Sequence, residues 1–222
     1  MPRDTSYVPV RNPVTRTGKK FRRKVPSIKE ARMIRAESIL EGDAIAVLDV
    51  LPTVRTIREQ PERVTYYDEE GKPHDYYPDF RVETTTNVVV DIEVKPKSKL
   101  RKAKTHAKLR AVSQHYERQG KLFRIWTDET IRSEPRFSTV KRVREHAKAD
   151  RRVPSQCELN LAIGPTGACS FREATERLGG EAKVLHLIAM NSLRIDFEKA
   201  LTDEALVWLK NFSGGGDATL CI

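Results

Sequence analysis

The sequence predicts an α/β fold: a mixed sheet flanked by helices, followed by a small helical domain. Three observations carry this. The run Asn87-Val-Val-Val-Asp-Ile-Glu-Val-Lys95 is apolar on both faces and marks a central strand. Short β-branched and aromatic segments bounded by turn residues precede it, and a basic helical stretch and a further strand follow. Two Ser-x-x-Glu capping signals lie in the last third, at Ser155 and Ser170. With 222 residues the chain can hold one large domain or two small ones.

Taken in order, residues 1–25 are rich in Lys, Arg and Pro, and read as a basic, flexible arm. Pro26 and Ser27-x-x-Glu30 predict a helix running to about Leu51, bent near Gly42. Its stripe would step through Ile34, Ser38, Glu41, Ile45 and Leu48, which sets Glu41 where a core residue is expected. A carboxylate there is costly unless paired or metal-bound, and Glu37, one turn earlier, can share that place. Val54–Arg58, Val64–Tyr67, Tyr76–Val82 and Val88–Val94 read as strands, the last two as a hairpin across 84–87. Alternation puts Asp91, Glu93 and Lys95 on one face of the last strand. Seven of the fourteen residues from Lys97 to Arg110 are Lys or Arg, and Leu100, Ala103, Ala107 and Ala111 keep helical spacing, which predicts a helix with a basic outer face. Leu122–Trp126 is a further strand, so that residues 26–135 form one domain and 136–151 a basic linker or helix. Helices near 156–163, 171–178 and 181–190, with a strand at Leu193–Phe197, give residues 152–222 the outline of a winged helix with a loose tail.

Composition narrows the chemistry. No apolar run could span a bilayer and no apolar signal core opens the chain, so a cytoplasmic protein without membrane contact is expected. Cys157, Cys169 and Cys221 are odd in number and widely spaced, and C-x-x-C and H-E-x-x-H are absent, which argues against zinc or a disulfide framework. The net charge of +10 is unevenly spread: +9 over residues 1–36, −8 over 37–95, +11 over 97–151 and −2 over 152–222. Basic flanks suit a polyanion, and an acidic middle suits a cation.

Within that acidic middle, Asp79 ends Pro78-Asp79 and Glu93-Val94-Lys95 follows fourteen positions later. Hydrolysing a phosphodiester requires charge neutralised on the scissile phosphate and an activated water in line, and a divalent metal supplies both. Mg²⁺ takes oxygen ligands, so Asp79 and Glu93 from neighbouring strands, Glu41 from a helix and the Val94 carbonyl are a candidate ligand set. Lys95, on the face of Glu93, can orient or help deprotonate the water and offset phosphate charge. Lys97, Lys99, Arg101, Lys102, Lys104 and Lys108 are the candidate phosphate contacts, to DNA if the polyanion is DNA. The competing structural reading makes Asp79 a turn cap and Glu93–Lys95 a solvent-facing pair.

Glu37-Ser-Ile-Leu-Glu41, Arg58-Glu-Gln60-Pro61, Tyr77-Pro-Asp79-Phe80 and Glu93-Val-Lys95-Pro96 resemble, in order and spacing, TnsA-like transposon endonucleases of the restriction-endonuclease-like PD-(D/E)xK superfamily. The likeness continues through Gly120–Phe123 and Trp126–Glu129 to Glu134-Pro-Arg136. It implies a restriction-endonuclease-like mixed sheet and a site of Glu41, Asp79, Glu93 and Lys95 that binds Mg²⁺, or Mn²⁺ in its place, with Gln60 near it. It also implies cleavage of double-stranded DNA at transposon 5′ ends beside a partner transposase and an AAA+ regulator, in a bacterial or phage/mobile-element setting. Gly42 departs from the family, where a basic residue often follows the glutamate, and leaves Glu41 and Glu37 both open as the helix ligand. The alternatives are the same nuclease in a phage, repair or restriction system, or a non-catalytic DNA-binding adaptor that retains the fold.

Overall fold

The computed structural model describes residues 7–10, 23–147 and 154–212. The chain divides into two compact units: among the described residues the first takes 7–10, 23–49 and 54–132, and the second takes 50–53 and the residues from Ser133 on. Most of the arm predicted over residues 1–25 lies outside the described residues.

The first unit opens with a hairpin, not a helix. β1 (Arg23–Pro26) pairs antiparallel with β2 (Met33–Ala36), so the end of the predicted arm is a strand. Ser27 does accept a hydrogen bond from the Glu30 N–H at 3.0 Å. A helical capping box also needs the glutamate to return to the serine N–H. Here the Ser27 N–H goes to the Arg32 carbonyl and the Glu30 carboxylate takes the Ile57 N–H. Asp49 completes the turn by accepting from the Ser27 hydroxyl and from the N–H groups of Ile28 and Lys29. Ala31, at φ 52°, turns the chain back into β2. The helix α1 (Ile39–Val50) begins eleven residues later than the sequence predicts. Its start is another Ser-x-x-Glu, in which the Ser38 hydroxyl accepts the Glu41 N–H at 3.1 Å.

β3 (Val54–Glu59), β6 (Phe80–Thr84), β7 (Val89–Val94) and β8 (Leu122–Trp126) form a mixed sheet in the order β3-β6-β7-β8. β6 runs antiparallel to β3 and β7, and β8 runs parallel to β7. Val82, Val90 and Ile92 are fully buried. Each such side chain contributes about 1.5–3 kcal/mol by leaving water. β4 (Val64–Tyr67) and β5 (Pro73–Tyr76) make a separate hairpin.

The predicted strand Tyr76–Val82 is therefore two strands. Pro78 has no N–H to give a ladder, and the Asp79 carbonyl bonds the Gln60 N–H at 2.9 Å, outside either sheet. The chain changes pairing partner at Pro78-Asp79, which puts Asp79 at the junction.

The basic stretch is also divided, into α2 (Lys97–Leu100) and α3 (Ala103–Arg118), with Lys102 extended at ψ 122° between them. Cations spaced three and four apart, with no acid among them, repel along a continuous helix. α3 packs on β4 and β8, and its Val112 and Tyr116 share a core cluster with Val64, Tyr66 and Tyr76. α4 (Asp128–Ile131) closes this unit.

The second unit holds α5 (Arg136–Glu145), α6 (Gln156–Ile163), β9 (Ala168–Ser170), α7 (Phe171–Leu178), α8 (Glu181–Ala189), β10 (Leu193–Ile195) and β11 (Leu206–Leu209). The strands form an antiparallel sheet in the order β10-β11-β9. The Ser155 and Ser170 boxes are complete, each glutamate returning to its serine N–H, and they open α6 and α7 as predicted. The stretch read as a basic linker or helix contains α5, whose Val140 and Val143 are buried and which packs on α8.

Candidate active site

The Pro78-Asp79 junction and the end of β7 meet. The Val94 N–H donates to Oδ2 of Asp79 at 2.7 Å, so the backbone of β7 itself aims this carboxylate. Glu93 is 3% exposed. Its Oε1 contacts the Lys95 Nζ at 2.7 Å, and its Oε2 accepts from the Tyr76 hydroxyl at 2.6 Å. Glu41 arrives from the first turn of α1, where its carboxylate accepts from the Glu37 N–H at 2.7 Å and the Ser38 hydroxyl at 2.9 Å.

The electrostatics bind these residues into one group. Burial, then the negative charges of Glu93 and Glu41, push the Asp79 carboxyl well above its ordinary range against the opposing Val94 N–H and Lys95. Burial also raises Glu41, with the Glu37 charge adding to it and the Glu37 N–H, the Ser38 hydroxyl and Lys95 opposing. Burial works against the Lys95 ammonium, but Glu93, Asp79 and Glu41 outweigh it and hold its pKa above the usual lysine value. This charge setting favours the ammonium form of Lys95, which suits orienting and charge-neutralising work. Tyr76 is held well above the ordinary phenol by burial and by Glu93, so its hydroxyl remains a donor.

The group lies at an open cleft of ≈ 920 Å³. Ser38, Glu41, Glu93, Val94 and Lys95 line one part of it, and Lys99, Lys104 and Lys108 another. Asp79 is not among the lining residues. Of the other predicted DNA contacts, Arg101 and Lys102 are exposed outside the cleft lining. Lys97 is engaged elsewhere, its Nζ with Glu129 at 2.6 Å and its N–H with Asp128 at 2.7 Å.

Gln60 and Glu37 do not line the cleft. The Gln60 amide donates to the Glu37 carboxylate at 2.9 Å, and its N–H holds the Asp79 carbonyl. Gln60 has φ 45°, a strained backbone for a non-glycine residue, and it ties the Asp79 junction to the start of α1. Between the two glutamates left open by the sequence, Glu41 is the one that reaches the cleft.

Residues 51–128 match the family model for the TnsA-like endonuclease N-terminal domain. The chain carries a TnsA-like endonuclease domain. No curated protein matches the chain. The TnsA-like segment contains Gln60, Asp79, Glu93, Val94 and Lys95, whereas Glu37 and Glu41 precede it and the second unit lies beyond it.

Glu41, Asp79 and Glu93 are hard oxygen donors of the kind Mg²⁺ takes. Their mutual charge, visible in the raised Asp79, is what a cation would relieve. Among the described residues, however, no group of three or more His, Cys, Asp or Glu side chains is arranged to hold a metal. Glu93 is instead engaged by Lys95 and Tyr76, and Glu41 by the start of its own helix. No helix among the described residues is long and apolar enough to cross a membrane.

Tyr76 and Ser38 are the site residues that sequence reasoning passed over. Ser38-x-x-Glu41 was a readable signal, but Tyr76 carries no motif that marks it as a partner of Glu93.

Proposed function

We propose that this chain is a Mg²⁺-dependent DNA endonuclease that hydrolyses phosphodiester bonds, acting as the 5′-end-cleaving subunit of a heteromeric transposase. The observation that carries the reading is the meeting of Asp79, Glu93 and Lys95 at the end of β7, beside a cleft lined by Lys99, Lys104 and Lys108. Mg²⁺, or Mn²⁺ in its place, would be held by Asp79, Glu93 and Glu41 with the Val94 carbonyl, and it supplies charge neutralisation at the phosphate and acidification of water. Lys95 presents its ammonium to the scissile phosphate. Lys99, Lys104 and Lys108 take neighbouring phosphates of double-stranded DNA, which positions the duplex without reading its sequence. Lys97 contributes less, because Glu129 neutralises it.

The second unit runs helix, strand, helix, helix, strand, strand from α6 to β11, an order that supports the winged-helix reading. Val184 to Ala189 of α8 are buried, and residues 152–222 carry a net charge of −2. The negative charge favours a protein partner for this unit, such as the partner transposase or an AAA+ regulator, over a second grip on phosphates.

One observation favours the non-catalytic adaptor instead: among the described residues no three His, Cys, Asp or Glu side chains are arranged to hold a metal. Nicking of supercoiled plasmid in Mg²⁺ or Mn²⁺ separates the two. Wild-type cleavage that Asp79→Ala and Lys95→Ala each abolish is expected, and equal cleavage by wild type and Asp79→Ala rejects the site.

A further inference from the structure

Tyr76 is 2% exposed, and its ring is packed on several sides. It meets Tyr66 and Phe123 edge-on, at ring-centroid distances of 6.4 and 6.1 Å. The Lys108 ammonium sits over it at 5.1 Å. A ring so enclosed cannot swing, and its hydroxyl ends 2.6 Å from Oε2 of Glu93. The other oxygen of the same carboxylate meets Lys95 at 2.7 Å. The two contacts together fix the plane of the Glu93 carboxylate.

We propose that Tyr76 is a positioning residue of the active site, holding one oxygen of Glu93 so that the other stays aligned with Lys95 at the cleft. This rests on the reading of Glu93 as part of the nuclease site. Hydrogen bonds to ligating carboxylates orient them, and their loss typically lowers metal affinity or activity by about 10–100-fold. Lys108 adds a second link. It lines the cleft and lies over the Tyr76 ring, so the basic helix and the Glu93 anchor share one side chain.

The molecule contains its own control. Tyr116 is 1% exposed and gives its hydroxyl to Asp91, two residues back along β7, at 2.7 Å. Tyr76→Phe and Tyr116→Phe each delete one buried hydroxyl from one buried acid and leave the ring packing in place. Both should fold, with similar small losses in thermal stability.

Calorimetric titration of the full chain with Mn²⁺ tells the two hydroxyls apart. Affinity in Tyr76→Phe should fall about 10–100-fold, while Tyr116→Phe should bind as the wild type does. In plasmid cleavage Tyr76→Phe should lower kcat and leave KM for DNA unchanged. Folded Tyr76→Phe that binds Mn²⁺ as tightly as wild type overturns the proposal, provided Glu93→Ala has lost binding. If wild type takes up no Mn²⁺, or Glu93→Ala binds it normally, the reading of the site fails first and the proposal falls with it. Equal weakening by both Phe variants also overturns it, since that result reports a general loss of rigidity.

Discussion

Strand β7 carries two buried acids on one face, and they have opposite surroundings. Asp91 is 2% exposed and Glu93 3%, and each accepts a tyrosine hydroxyl. At Asp91 the counter-charge is Arg81, which reaches both carboxylate oxygens, at 2.7 and 2.8 Å, and also holds Glu62 at 2.6 Å. At Glu93 the close cation is Lys95, and it is shared with Asp79 and Glu41. An acid matched by a forked guanidinium is a structural pair. Three acids around one ammonium leave excess negative charge, the usual mark of a site built for chemistry or a cation. The difference lies in the neighbours, since exposure is nearly equal and each acid has one tyrosine hydroxyl.

Mutations at the two ends should therefore separate activity from stability. The largest effect is expected from Lys95→Ala, which should lower cleavage by about 100-fold or more while the protein stays folded. Activity near wild type would erase the distinction between the ends. Asp91→Ala should do the reverse. It leaves Arg81 partly unpaired and should cost about 3–5 kcal/mol in chemical denaturation, with cleavage per folded molecule retained. Ile92→Ala lies between the two acids on the opposite face. It should cost about 2–5 kcal/mol through the cavity it opens, and it calibrates what loss of packing alone does to activity.

The smallest effect concerns pH at the Asp91 end. Burial opposes the charged form of Glu62, but Arg81 and Lys121 outweigh it and lower its pKa. A depressed carboxyl adds stability above its unfolded pKa of about 4.3 and loses it as pH falls through the folded value. Glu62→Gln should therefore be less stable than wild type at neutral pH by less than about 1 kcal/mol, and the gap should close in acid. A gap that widens in acid would contradict the pairing.

Much of this was legible in the sequence because it is local. The Val88–Val90 run marked β7, and the Ser155 and Ser170 boxes marked α6 and α7. The acid-x-lysine placed Glu93 and Lys95 together because a strand repeats every two residues. What was not legible depends on contacts across long separations. Ser27-x-x-Glu30 has the letters of a helix start, yet Glu30 bonds Ile57 and Asp49 caps the turn. Ser38-x-x-Glu41 has the same letters and does start a helix. The break at Pro78 depends on Gln60 taking the Asp79 carbonyl. The two tyrosine hydroxyls reach 17 and 25 residues along the chain to their acids.

The most direct test of the contrast along β7 is anomalous diffraction from crystals grown with Mn²⁺. Mn²⁺ is expected between Asp79 and Glu93, with none at Asp91. Mn²⁺ at Asp91, or bound only at the Asp68–His74 pair by the β4–β5 turn, would contradict it.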